Sequence, residues 1–133
     1  MALDWLSDDW ASAAAGAVGL LPQAPGSSGT VSLALSEGSG KKRREAGFHW
    51  RYDDGNAVDG VAGVDADADL VLLLAGDDAA DVLSGRVEPS VAFMRGRLKA
   101  SGDGALLIRF LRSTTDSKFG AWREKVAALA GVS

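Results

Sequence analysis

The run Asp69 to Ala75, DLVLLLA, constrains the chain more than any other stretch. Leu70, Leu72 and Leu74 point to one side of an extended strand while Val71 and Leu73 point to the other, so both faces are apolar. Such a strand is expected to be covered on both sides. One face meets the main core, and the N-terminal helix, the C-terminal helix or a second subunit is expected to cover Val71 and Leu73. After the strand the chain is punctuated by Gly76, Gly85, Gly96 and Gly102. Between these glycines, Asp77-Asp78 starts a short helix to Ser84 with Val82 and Leu83 facing inward, and Pro89 starts an apolar turn to Met94. Arg97 to Ser101 then reads as a further strand.

Upstream, Leu3, Leu6, Trp10, Ala13 and Ala17 recur at steps of three and four, which predicts an amphipathic helix over Leu3 to Ala17. Pro22, Pro25, Gly26 and Gly29 mark a loop. Val31, Leu33 and Leu35 alternate with polar or small residues, as do Phe48, Trp50 and Tyr52, so Thr30 to Ser36 and the aromatic run form an antiparallel hairpin. Asp53-Asp54-Gly55-Asn56 is turn chemistry, followed by a Gly-diluted edge strand from Ala57 to Val64. Downstream, Ala105 to Arg112 carries five large apolar residues and is expected to be a nearly enclosed helix. Ser113-Thr114-Thr115-Asp116 offers caps, and Phe119, Trp122, Val126 and Leu129 form the stripe of a last helix.

Several function classes are excluded or made remote by composition. The 133 residues suit one domain, residues 1–133, with 47% hydrophobic and 24% charged side chains. A net charge of -4 argues against nucleic acid as a partner. Without Cys and with His49 as the single histidine, no thiolate or histidine metal site and no His-based triad is expected. No metal, cofactor or catalytic residue is assigned. The N-terminus lacks a basic segment before an apolar core, and the longest helix-like apolar run is too short to span a bilayer, so a cytoplasmic location is expected.

Taken together, Ala68-Asp69 before an apolar strand, the acid-started helix ending Leu83-Ser84-Gly85, Pro89, Ala92-Phe93-Met94-x-Gly96-x-Leu98-Lys99 and Gly102-Asp103 before an apolar helix resemble the sterol carrier protein 2 family of small lipid-transfer domains. The resemblance covers about 45 residues without a gap. It implies an α/β (α+β) fold: a five-stranded mixed β-sheet with N-terminal, short central and C-terminal helices enclosing an apolar tunnel. It also implies non-catalytic binding or transfer of a fatty acid, acyl chain, phospholipid or sterol. The alternative is an accessory subunit presenting an apolar or steroid-like substrate to a partner enzyme. Where members of the family often carry a large aromatic in the short helix, this chain has Ala79-Ala80, which leaves room for a wider cavity.

The residues expected to line the tunnel are Phe48 and Trp50 on the aromatic strand, Leu72 and Leu74 on the central one, and Val82 and Leu83 on the short helix. Phe93 and Met94 in the Pro-started turn complete the set with Leu107, Phe110 and Leu111 in the apolar helix. Any one of these taken alone reads as ordinary core, and the case for a tunnel is collective. Lys41, Lys42, Arg43 and Arg44 read either as a solvated hairpin turn or as a transient contact with an anionic membrane surface. The paired carboxylates Asp53-Asp54 and Asp77-Asp78 read as turn and cap residues, and the protein as a monomer or homodimer.

Overall fold

In a computed structural model, the structure describes residues 3–37, 41, 44–75 and 77–130. Five strands, β1 (Gly29–Glu37), β2 (Arg44–Asp53), β3 (Asn56–Ala62), β4 (Leu70–Ala75) and β5 (Leu98–Gly102), form one mixed sheet in the order β3-β2-β1-β4-β5. The β1-β2, β2-β3 and β4-β5 pairs are antiparallel, and β1 and β4 run parallel at the centre. The helices among the described residues are α1 (Asp8–Gly16), α2 (Asp77–Leu83), α3 (Pro89–Met94), α4 (Gly104–Ser113) and α5 (Ser117–Leu129), with a short 3-10 turn at Val18–Leu20. The expected five-stranded mixed sheet with terminal and central helices is therefore present.

Local chemistry accounts for most element boundaries. In the β2-β3 hairpin Asp53 faces Asn56, and the two-residue turn Asp54-Gly55 has positive φ at both positions (49° and 87°), the conformation that matches strand twist. Ser7, Asp103 and Asp116 each cap a helix: Ser7 Oγ accepts from Trp10 N at 3.1 Å, Asp103 Oδ1 from Ala105 N at 2.9 Å and Asp116 Oδ1 from Lys118 N at 2.9 Å. Helix α1 starts five residues later than the periodicity predicts, because Leu6 takes a positive φ of 61° and Ser7 then caps the helix. The start of β1 is tied to the residue just before β4, since the Asp69 carboxylate accepts from Thr30 N at 2.8 Å.

One face of the sheet carries the core. Val31, Leu33, Leu35, Phe48, Trp50, Tyr52, Leu70, Leu72 and Leu74 are buried there. Helix α1 reaches this face through Trp10, whose ring lies 6.3 Å from Phe48, and α5 through Trp122, also 6.3 Å from Phe48. Phe110 of α4 lies 6.1 Å from Trp50.

The opposite face departs from expectation. Neither terminal helix crosses it: Leu73 is 45% exposed and Val71 half-buried. Both helices are drawn to the aromatic side, which offers far more apolar area per residue than Leu73 and its neighbours. Helix α4 is also more open than its composition predicts. Leu106 and Phe110 are buried, but Leu107 and Leu111 are half-buried and Ile108 is 55% exposed, so it presents one stripe to the core and another to solvent. Tertiary placement overrides the apolar content of the segment here.

Candidate functional site

Phe48 and Trp50 alternate with Gly47, His49 and Arg51, so the pleat of β2 sends both rings, and Tyr52 after them, to the inner face. From there a closed circuit of ring contacts runs through the helical layer. Phe48 meets Trp50 at 5.8 Å, Trp50 meets Phe110 at 6.1 Å, Phe110 meets Phe119 at 6.5 Å, Phe119 meets Trp122 at 5.5 Å, and Trp122 returns to Phe48 at 6.3 Å. Tyr52 joins it edge-on to Trp50 at 6.2 Å. Offset and edge-on pairs of this kind suit the ring quadrupoles.

Around the circuit stand Leu72, Leu74, Val82 and Leu83, all buried. Of the residues the sequence assigns to a tunnel, these four and Phe48, Trp50 and Phe110 lie together inside. Leu107 and Leu111 stand at the partly buried edge of α4. Phe93, 37% exposed, and Met94, 84% exposed, project from α3 instead. The basic turn falls largely outside the described residues, which include only exposed Lys41 and the backbone of Arg44.

Three polar atoms on this interior have no protein hydrogen-bond partner among the described residues: Trp50 Nε1, Tyr52 Oη and Trp122 Nε1. Trp10 is the contrast, since its buried Nε1 donates to the Val126 carbonyl oxygen at 2.9 Å. Burial pushes the Tyr52 phenol up to about 12, and the Trp50 indole and Ser113 hydroxyl beside it offset only part of that shift. Both groups are close enough to be felt by the phenol, yet neither makes a well-formed hydrogen bond to it. Ser113 spends its own proton on the Phe110 carbonyl oxygen at 2.6 Å. Tyr52, Trp122 and Ser113 were readable as an aromatic strand residue, a stripe residue and a cap. Their polar tips become significant only once burial is known.

Two surface hollows bear on access. A cleft of about 560 Å³ between the loop at Gln23 and Pro25 and the α4-α5 turn is lined by Arg109, Arg112 and Lys118, with Ser113 in its wall. On the open face of the sheet a groove of about 410 Å³ runs over Ala34, Leu73 and Ala75 towards Arg97 and Lys99, and of the sequence-assigned residues only Leu74 borders it. Arg97 is drawn toward Asp78, 3.7 Å away.

Of the paired carboxylates, Asp53 and Asp54 stand at the β2-β3 turn, while the side chain of Asp77 lies outside the described residues. Asp53 lies 4.0 Å from Arg51, which also binds Asp59 at 2.8 Å. His49 Nδ1 lies 2.8 Å from the Gly63 carbonyl oxygen. No helix among the described residues is long and apolar enough to cross a membrane.

This architecture is similar to solved structures of low sequence identity. A conserved hypothetical protein from Thermus thermophilus matches with a TM-score of 0.69 and 22% identity, over 92% of this chain and 90% of its own. A crystal structure of sterol carrier protein 2 matches with a TM-score of 0.64 and 21% identity, over 91% of this chain and 98% of that one. Among curated proteins, the mouse (Mus musculus) hydroxysteroid dehydrogenase-like protein 2 is 42% identical over 48 residues, 36% of this chain. The chain spans only 10% of that relative's length. The model of the SCP-2 sterol transfer family matches residues 23–112, from the loop before β1 to the last turn of α4, and so takes in the whole sheet and the strand that supplies Phe48 and Trp50. The chain therefore belongs to the SCP-2 sterol transfer family.

Proposed function

We propose that this protein binds and transfers an apolar ligand, a fatty acid, acyl chain, phospholipid or sterol, held between the inner face of the sheet and the helices, and that it is not itself an enzyme. The observation that carries this reading is the family match over residues 23–112, which spans the whole sheet and the elements that carry Phe48, Trp50 and Phe110. Phe48, Trp50, Leu72, Val82, Leu83 and Phe110 are the walls of the ligand space. Leu107 and Leu111 border it, and Phe93 and Met94 act from the exposed helix α3. Each methylene taken from water contributes about 0.8 kcal/mol, so a long chain needs few polar contacts to bind usefully. The protein works in the cytoplasm as a monomer or homodimer, with the Lys41 to Arg44 turn touching anionic membranes while ligand is exchanged.

Native mass spectrometry and organic extraction of the purified protein test this reading. A co-purified lipid, or saturable binding of cis-parinaric acid displaced by unlabelled fatty acid, is the expected result. A protein that emerges empty and binds no probe refutes it.

The match to a segment of hydroxysteroid dehydrogenase-like protein 2 favours a second reading, in which the domain presents an apolar or steroid-like substrate to a partner enzyme. Affinity purification from source lysate should then recover a dehydrogenase in stoichiometric amount, and its absence counts against that role.

A further inference from the structure

A buried indole or phenol normally finds a partner for its polar tip, because leaving a donor dry costs more than a made hydrogen bond returns. This protein follows the rule at Trp10 and departs from it at Trp50, Tyr52 and Trp122. The three departures are not scattered. Trp50 and Tyr52 are neighbours on one face of β2, the Trp50 indole lies close enough to the Tyr52 phenol to be felt by it, and Trp122 closes the same ring circuit through Phe48. Tyr52 also lies beside Ser113, which forms part of the wall of the cleft between Gln23 and Lys118, so the cluster sits just beneath the surface there.

We propose that Trp50 Nε1 and Tyr52 Oη, with Trp122 Nε1, form the polar end of the ligand site and receive an uncharged oxygen of the ligand, a hydroxyl or a carbonyl. This inference rests on the apolar-ligand reading and specifies the ligand's polar group. Indole N–H groups only donate, so the ligand must offer an acceptor, and a phenol can donate to or accept from the same oxygen. The oxygen is uncharged because no charged side chain is among the fully buried residues described. Arg123, which stacks 5.4 Å from the Phe119 ring, is already held by Glu88 at 3.2 Å and by the Val82 carbonyl oxygen at 3.3 Å. The cations of the neighbouring cleft, Arg109, Arg112 and Lys118, are exposed at its surface, so an ionised carboxylate placed against the indoles would meet donors without a buried counter-charge, and burying it so is costly.

The test compares decane, 1-decanol and decanoate as competitors of cis-parinaric acid at pH 8, on the full chain. A purely apolar interior favours decane, because the alcohol gives up its hydration for nothing. Donors that receive the oxygen invert that order, and decanol should bind about tenfold tighter than decane, with decanoate weaker than decanol. Tyr52→Phe, which deletes one oxygen and keeps the ring, and Trp50→Phe should each shrink the ratio of decanol to decane affinity at least about threefold, the decane affinity of the same variant serving as the reference for any change in the shape of the walls. Near-ultraviolet circular dichroism checks that the variants are folded, and the wild-type comparison needs no variant at all. Wild-type preference for decane over decanol, tightest binding by decanoate, or an unchanged decanol advantage in folded Tyr52→Phe and Trp50→Phe overturns the inference. The apolar-ligand reading survives those results. If none of the three competes and the probe itself fails to bind, that reading falls.

Discussion

The indole Nε1 of Trp10 donates to the carbonyl oxygen of Val126 at 2.9 Å, joining the first and last helices across 116 positions of sequence. A second tie lies beside it, from Leu3 N to the Leu129 carbonyl oxygen at 2.7 Å. Trp10 also meets Trp5 edge-on at 4.9 Å, so its ring is held by packing as well as by its donor. We predict that Trp10→Phe lowers unfolding free energy by about 1–3 kcal/mol, and Trp10→Ala by about 3–5 kcal/mol. Urea denaturation followed by far-ultraviolet circular dichroism measures both. Equal stability of Trp10→Phe and wild type would mean that the tie contributes nothing net.

Tyr52 is the single tyrosine of the chain, so phenolate absorbance reports on it alone. We predict that it titrates near 12 in the folded protein, because burial disfavours the phenolate. With a folded value above the unfolded one, near 10, the folded state holds its proton longer. The associated stability is fully present below about pH 10 and is lost as pH rises through about 12, with a total on the order of 3 kcal/mol. Tyr52→Phe should remove that alkaline slope from the denaturation midpoint. A phenol titrating near 10 in the folded chain would contradict the burial argument.

Leu72 and Leu73 are neighbours in β4 with opposite environments, one sealed against the helices and the other 45% exposed on the open face. We predict that Leu72→Ala costs about 2–5 kcal/mol and Leu73→Ala less than about 1 kcal/mol. A large loss at Leu73 in dilute solution, with Leu72 unchanged, would reverse the assignment of the faces.

Gly60 lets β3 approach α1 closely: a Cβ there would collide with the Ala15 carbonyl and the Val18 side chain. Gly60→Ala should therefore separate β3 from the end of α1 and lower the thermal midpoint, whereas Gly16→Ala, where a Cβ meets nothing within 4 Å, should be neutral or stabilising. Differential scanning calorimetry of the two variants separates a steric cause from a general effect of removing glycine.

The sheet was largely legible in the sequence because its signals are short-range. Alternation in Val31 to Leu35 and Phe48 to Tyr52, the Asp54-Gly55 turn and the Asp103 cap each fix a piece of backbone without reference to distant residues. The outward stripe of α4 and the open face at Leu73 were not legible. Composition records how apolar a segment is, and only packing decides which of two apolar faces the helices choose. The site was half legible for the same reason. Phe48 and Trp50 announce themselves by parity, but the significance of Tyr52, Trp122 and Ser113 lies in which donors go unanswered, and that depends on partners brought together from β2, α4 and α5.

The parallel pairing of β1 with β4 has a consequence for how the protein is made. Thr30 is fastened to Asp69 across 39 positions, so when a ribosome has released β1, β2 and β3 the strand destined for the middle of the sheet still has one bare side. During that interval its unanswered backbone and the aromatic side chains of the hairpin are presented to other nascent chains, which makes the arrival of β4 the step that ends exposure to misassembly.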